Sequence, residues 1–204
     1  MEQKKSVLKR VHEYVYGNFR LGLNYIKESK NYIWFMGIAF IVSALIGFIF
    51  PIFFEVEILE LIKELLEKTE GLGTFGLVRF ILLNNLQASL VGMVFGIIFG
   101  IIPLIVGVIN GYVLGFVSIK TVSMGGFSIL WRLLPHGIFE LPAVVISLGL
   151  GLKLGMFLFM YRGRDKAKEF LRWLKNSFKA FVFIIIPLLV IAAIIEGLLI
   201  VLVG

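Results

Sequence analysis

The chain has 204 residues, 59% of them hydrophobic and only 16% charged, with a formal net charge of +7 and a mean hydropathy of +0.99. Soluble domains carry about 45–50% apolar and about 25% charged residues, so an ordinary soluble domain is excluded. Apolar runs of about 18 or more residues, each long enough to cross a bilayer, recur along the chain, and they predict an all-α polytopic membrane protein. Cysteine is absent and the histidines are His12 and His136, which excludes disulfide frameworks, thiol catalysis and Cys-based zinc or iron–sulfur centres.

Residues 1–30 hold seven Lys/Arg against three Glu. Val7, Leu8, Val11, Tyr14, Val15 and Phe19 fall at spacings of three and four, which predicts a basic amphipathic helix lying on an anionic, cytoplasmic membrane surface. It is not expected to be a secretory signal peptide, because no small-residue cleavage site follows and the next apolar stretch, 32–54, is long enough to span. Residues 55–70 carry six glutamates and two lysines. Ile58, Leu59, Ile62, Leu65 and Leu66 make them a second amphipathic helix, acidic and predicted at 56–70.

The sequence GLGTFG at 71–76 predicts a flexible connection. Residues 80–119 contain no charge; as one helix they would reach about 60 Å across a core of about 30 Å. The stretch must therefore fold back. Pro103, with Gly100, is the expected turn, giving spans at 79–101 and 104–119. A small polar segment, 120–126, and Trp131 and Arg132 precede a fourth span at 133–161. Residues 162–179 hold seven Lys/Arg and two acids and predict a basic surface helix with Phe170, Leu171, Leu174 and Phe178 on one stripe. A fifth span, 180–203, follows. The expectation is about five transmembrane helices plus amphipathic interfacial helices. By the positive-inside rule both basic segments are cytoplasmic, the acidic helix and the C-terminus are outside, and Trp34, Trp131 and Trp173 fall near the interfaces.

Glycines recur every fourth residue at Gly92, Gly96 and Gly100 and again at Gly107, Gly111 and Gly115. In lipid such stripes let helix backbones approach closely, within a monomer or between copies; a pore lined by small residues is the alternative. Polar groups inside a membrane are costly and face a cavity or a partner. Asn84, Asn85, Gln87, His136, Glu140 and Glu196 are all expected toward the outer leaflet, with Arg132 at its edge and Asn110 near mid-membrane. Lys153 is expected to snorkel toward the cytoplasm. His136 and Glu140, four apart, share a helix face, either as a proton relay, substrate contact or metal half-site, or as a polar clasp to Asn84, Asn85 or Arg132. Two ligands fall short of the three or four that zinc needs, so a metal would require His136 and Glu140 of a second subunit as well.

No HExxH pair, paired intramembrane aspartates, nucleophile elbow around Ser89, Ser118 or Ser147, Walker motif or dinucleotide fingerprint is present. No catalytic residue, cofactor or nucleic-acid partner is expected. Three segments together resemble the stage II sporulation protein M family: LLNNLQASL at 82–90, Asn110–Gly111 followed by Gly115, and LLPHGIFELPA at 133–143 followed by Gly151 and Gly155. The resemblance covers roughly residues 30–204. It marks Asn84, Asn85, Asn110, Gly111, Pro135, His136, Gly137, Glu140 and Pro142 as motif positions. It implies a non-catalytic, multi-span scaffold that assembles with itself and with partner membrane proteins or enzymes. The alternative is a transporter or channel component with a polar chamber around His136 and Glu140. An intramembrane enzyme using that pair as acid and base is a third reading.

Overall fold

Among the described residues all regular structure is helical. The computed structural model describes the backbone of residues 2–127 and 134–203 and the side chains of residues 7, 9–127 and 137–200. In chain order the helices are α1 (Glu2–Glu28), α2 (Lys30–Ile49), α3 (Glu55–Thr69), α4 (Thr74–Val94), α5 (Ile101–Gly125), α6 (Leu134–Gly155), a single turn α7 (Phe157–Met160), α8 (Lys166–Ala180) and α9 (Ile186–Val203). Among the described residues five helical segments are long and apolar enough to cross a membrane: Lys30–Ile49, Thr74–Ile97, Ile101–Gly125, Gly137–Gly155 and Lys166–Ile200.

Several boundaries differ from those expected. The first span ends at Ile49, not 54, because Pro51 pushes Phe50 out of the helical region to φ −123°, ψ 66°. The break at 71–76 is shorter than its glycines imply, since Thr74, Phe75 and Gly76 already belong to α4. The fold-back is not at Pro103. A 3-10 turn, Phe95–Ile97, ends α4, and Phe99 and Gly100 reverse the chain with φ of 53° and 70°. Glycine enters this left-handed region without cost; Phe99 does so while its ring contacts that of Phe159 at 5.8 Å. Pro103 sits in the first turn of α5, where a missing N–H removes no helical hydrogen bond. The third span is accordingly longer than 104–119, running from Ile101 to Gly125 through Lys120. The fourth ends at Gly155, short of 161.

α8 and α9 are joined by a π-helical turn, Phe181–Ile185. Pro187 cannot donate to the carbonyl four residues back, and widening the preceding turn accommodates its ring. The basic segment and the fifth span thus form one helical run rather than a surface helix followed by a separate crossing.

Packing is set by glycine. Gly107, Gly111 and Gly115 of α5 face α2, where added Cβ atoms would meet Met36, Phe40 and Ala44. This is the most extensive helix pairing in the protein. Gly92, Gly96 and Gly100 face α6. There a Cβ on Gly96 would overlap the Gly151 carbonyl, and one on Gly155 would overlap the backbone of Gly96 and Gly100. Both stripes are used within the monomer. Interhelical hydrogen bonds add to the seams: Ser147 Oγ donates to the Ser89 carbonyl at 2.8 Å and Ser43 Oγ to the Val108 carbonyl at 2.6 Å. Ser118 instead donates to Leu114 of its own helix.

At one end of the bundle α3 packs Ile58 against Tyr112 and Phe116 of α5, with Glu55 paired to Lys120 at 2.5 Å. At the other end α1 rests on α8, a Cβ at Gly22 lying 3.1 Å from the Ala180 backbone. A close backbone seam tolerates no methyl group. Gly96→Ala is therefore expected to cost about 1–3 kcal/mol and to lower the thermal midpoint of the detergent-purified protein. Gly17→Ala, where a Cβ meets nothing within 4 Å, is expected to leave the midpoint unchanged or to raise it by up to about 1 kcal/mol of helix propensity.

Candidate functional site

A cavity of about 490 Å³ lies where α3 crosses the ends of α4, α6 and α9. Its polar wall is Asn84 and Asn85 of α4, Glu140 of α6 and Glu196 of α9; Thr69 of α3 also borders it, and the remaining wall is apolar. Glu140 and Glu196 come from different helices and line the same cavity. The Thr69 hydroxyl is committed to its own helix, donating to Leu65 at 2.9 Å. The cavity therefore offers two carboxylates and two carboxamides. That set accepts a proton or the hydration shell of a cation.

Not all the residues expected here take part. Asn84, Asn85, Glu140 and Glu196 are gathered, although they lie 55 or more positions apart between helices. Gln87 is exposed on α4 and does not line the cavity. Asn110 is exposed on α5, its Nδ2 donating to the Val106 carbonyl at 2.8 Å, and it also lies outside the cavity. His136 is placed in α6 one turn before Glu140, with its side chain outside the described residues. Arg132 and Trp131 lie outside them altogether. Trp34 is 70% exposed on α2.

The opposite end holds a group that sequence reasoning placed differently. Lys153 does not snorkel to the surface; it is only 6% exposed. Its Nζ donates to Ser29 Oγ at 2.9 Å and sits 3.9 Å from the Tyr25 ring centroid and 4.9 Å from that of Trp173. Ser29 Oγ in turn donates to the Tyr25 carbonyl at 2.6 Å. Trp173 Nε1 donates to Glu169 at 2.8 Å, and Glu169 also pairs with Arg172. Cation–π contact is strongest where the ammonium is desolvated, and Lys153 stands in the last turn of α6, where a helix terminus favours positive charge. Beside it the Tyr25 phenol and the Ser177 hydroxyl are buried next to one another, and burial pushes the Tyr25 phenol above its ordinary range. A lone lysine in an apolar run signals that a partner must exist. Its partners, at positions 25, 29 and 173, are too distant in sequence for periodicity to identify.

The model of the family described as stage II sporulation protein M matches residues 36–199, a stretch holding both glycine stripes, the polar cavity and Lys153. No curated protein and no solved structure matches the chain.

Removing the Ser29 hydroxyl leaves a buried ammonium without its acceptor. Ser29→Ala is expected to lower stability by about 1–3 kcal/mol. Lys153→Met, which keeps the volume and removes the charge, is expected to be near neutral or stabilising, whereas Lys153→Ala opens a void and is expected to cost about 2–5 kcal/mol. Thermal unfolding of the purified protein in one detergent orders the three; Lys153→Met falling below Ser29→Ala would contradict this account of Lys153 and its partners Ser29, Tyr25 and Trp173.

Proposed function

The chain belongs to the stage II sporulation protein M family, and we propose that it acts as a non-catalytic membrane scaffold that assembles with itself and with partner proteins. The observation that carries the reading is that the glycine seams are consumed inside the monomer, while charged amphipathic helices remain displayed at both ends of the bundle. At one end α3 exposes Glu57, Glu60, Glu64 and Glu67; at the other α1 and α8 expose basic residues. Charged, water-facing helices held on a rigid membrane body are suited to docking rather than to chemistry. The positive-inside rule orients α1 and α8 toward the cytoplasm, and the C-terminus outward.

The second reading, a transporter or channel component, is favoured by one specific feature: the cavity that brings Glu140 and Glu196 together with Asn84 and Asn85. Intramembrane carboxylates facing a cavity are the usual elements of ion and proton pathways.

Gentle purification from native membranes after in-cell cross-linking separates the two. The parent chain is expected to bring down a defined protein reproducibly, and a variant with Glu57, Glu60, Glu64 and Glu67 changed to Gln to recover it at least severalfold less well. Recovery of nothing but the chain itself from both would defeat the scaffold reading. For the second reading, liposomes carrying the protein should show a pH-dependent cation flux that Glu140→Gln or Glu196→Gln abolishes; absence of flux at every pH defeats it.

A further inference from the structure

The face of α8 that points away from the bundle carries a charge pattern that neither packing nor the polar cavity uses. Lys168, Lys175 and Lys179 follow one another at seven and four residues, which at 100° per residue keeps them within about 40° of one another around the helix. They line a groove of about 540 Å³ together with Tyr161, Arg172 and Asn176. Two acids also border it, Asp165 and Glu169. Glu169 is occupied by Arg172 and by Trp173 Nε1. Among the described residues none of the three lysines makes an ion pair. With Lys168, Arg172, Lys175 and Lys179 against Asp165 and Glu169, the groove keeps an excess of positive charge, with a phenol and a carboxamide as further donors.

What fills such a groove must be anionic at one end. The surroundings specify the other end. Leu171 and Phe178 occupy the adjoining face of α8 and are 51% and 40% exposed. Lys179 directly precedes the apolar run from Ala180 into α9. We propose that this groove is a binding site for the phosphate headgroup of an anionic phospholipid. The phosphate is held by Lys175 and Lys179, with Lys168, about 16 Å from Lys179 along the helix, adding to the positive field of the groove, and the acyl chains run along Phe178 and the start of α9. The proposal rests only on membrane insertion, so it stands or falls separately from the scaffold reading. Charge complementarity favours lipid over nucleic acid, because the cationic face is one short helix bordered by apolar side chains and by a membrane-length segment.

Native mass spectrometry of the full chain, delipidated in mild detergent and titrated with phosphatidylglycerol or phosphatidylcholine, tests this. The parent is expected to retain phosphatidylglycerol in preference to phosphatidylcholine. Changing Lys168, Lys175 and Lys179 to Ala should weaken phosphatidylglycerol retention at least about tenfold. An equal loss of charge on α1 (Lys9→Ala, Arg20→Ala, Lys27→Ala) should change it less than about twofold. Replacing the same α8 lysines by Arg keeps charge and length and should preserve binding, which separates loss of the site from loss of the fold. Equal weakening by the α1 and α8 triples would reduce the effect to diffuse charge and overturn the proposal. So would equal retention of the two lipids, loss of binding in the Arg triple, or displacement of phosphatidylglycerol by millimolar inorganic phosphate, which would make the groove a free-phosphate site.

Discussion

In lipid an apolar side chain gains nothing by exchanging an acyl chain for a neighbouring helix, so spans hold together only where backbones come close enough for dispersion and interhelical hydrogen bonds to act. In this protein that constraint converges on α6. Gly151 and Gly155 meet Gly96 and Gly100 backbone to backbone, Gly149 presses on Ile33 of α2, and Ser147 reaches the Ser89 carbonyl of α4. Remove the close approach and α4 and α2 both lose their main contact with the helix that lies between them.

The placement of the polar groups follows from this axis. Glu140 lies toward the N-terminal end of α6 and Lys153 in its last turn, thirteen residues or about 20 Å apart along the helix. The two are accommodated by different means. The carboxylate opens into a cavity that it shares with a second carboxylate and two amides. The ammonium is closed off, with one hydroxyl acceptor and two aromatic faces in place of water. A group meant to exchange protons or ions needs the first arrangement; a group that fixes geometry is served by the second. Of these two groups it is the carboxylate at the α3 end that has the surroundings of an exchange site.

How much of this was legible in the sequence varied with the range of the interaction. Span number, the amphipathic character of residues 1–30, 55–70 and 162–179, and the four-residue glycine stripes are local periodicities, and each appears in the fold. Of the two residues expected at the fold-back, Gly100 reverses the chain together with Phe99, whereas Pro103 is tolerated in the first turn of α5; Phe99 carries no turn signal of its own. Asn84, Asn85, Glu140 and Glu196 are expected toward one leaflet from their places along the spans, and they line one cavity. Asn110 and Gln87 are motif-like or polar in the same way, yet face outward, since rise alone gives depth and not direction. Lys153 was missed for a related reason: its aromatic partners lie in segments that read as surface helices.

The buried ammonium also resolves an ambiguity that glycine seams create. Gly92, Gly96 and Gly100 repeat every four residues, so α4 could slide by one repeat, about 6 Å, and still present a glycine to α6. The same holds for Gly107, Gly111 and Gly115 against α2. Dispersion between smooth backbones discriminates poorly between such registers. Directional contacts discriminate well, because in a slipped register a buried donor loses its acceptor. Ser147 to the Ser89 carbonyl fixes α6 against α4, Ser43 to the Val108 carbonyl fixes α2 against α5, and Lys153 to Ser29, between Tyr25 and Trp173, fixes α6 against the α1–α2 junction and α8 at once. A buried polar group that selects one register is the best-attested use of such a group, and Lys153 does so for more helices than any serine bond can. Glycine brings the helices together, and the hydrogen bonds and the ammonium decide which residues then face the cavity at the other end.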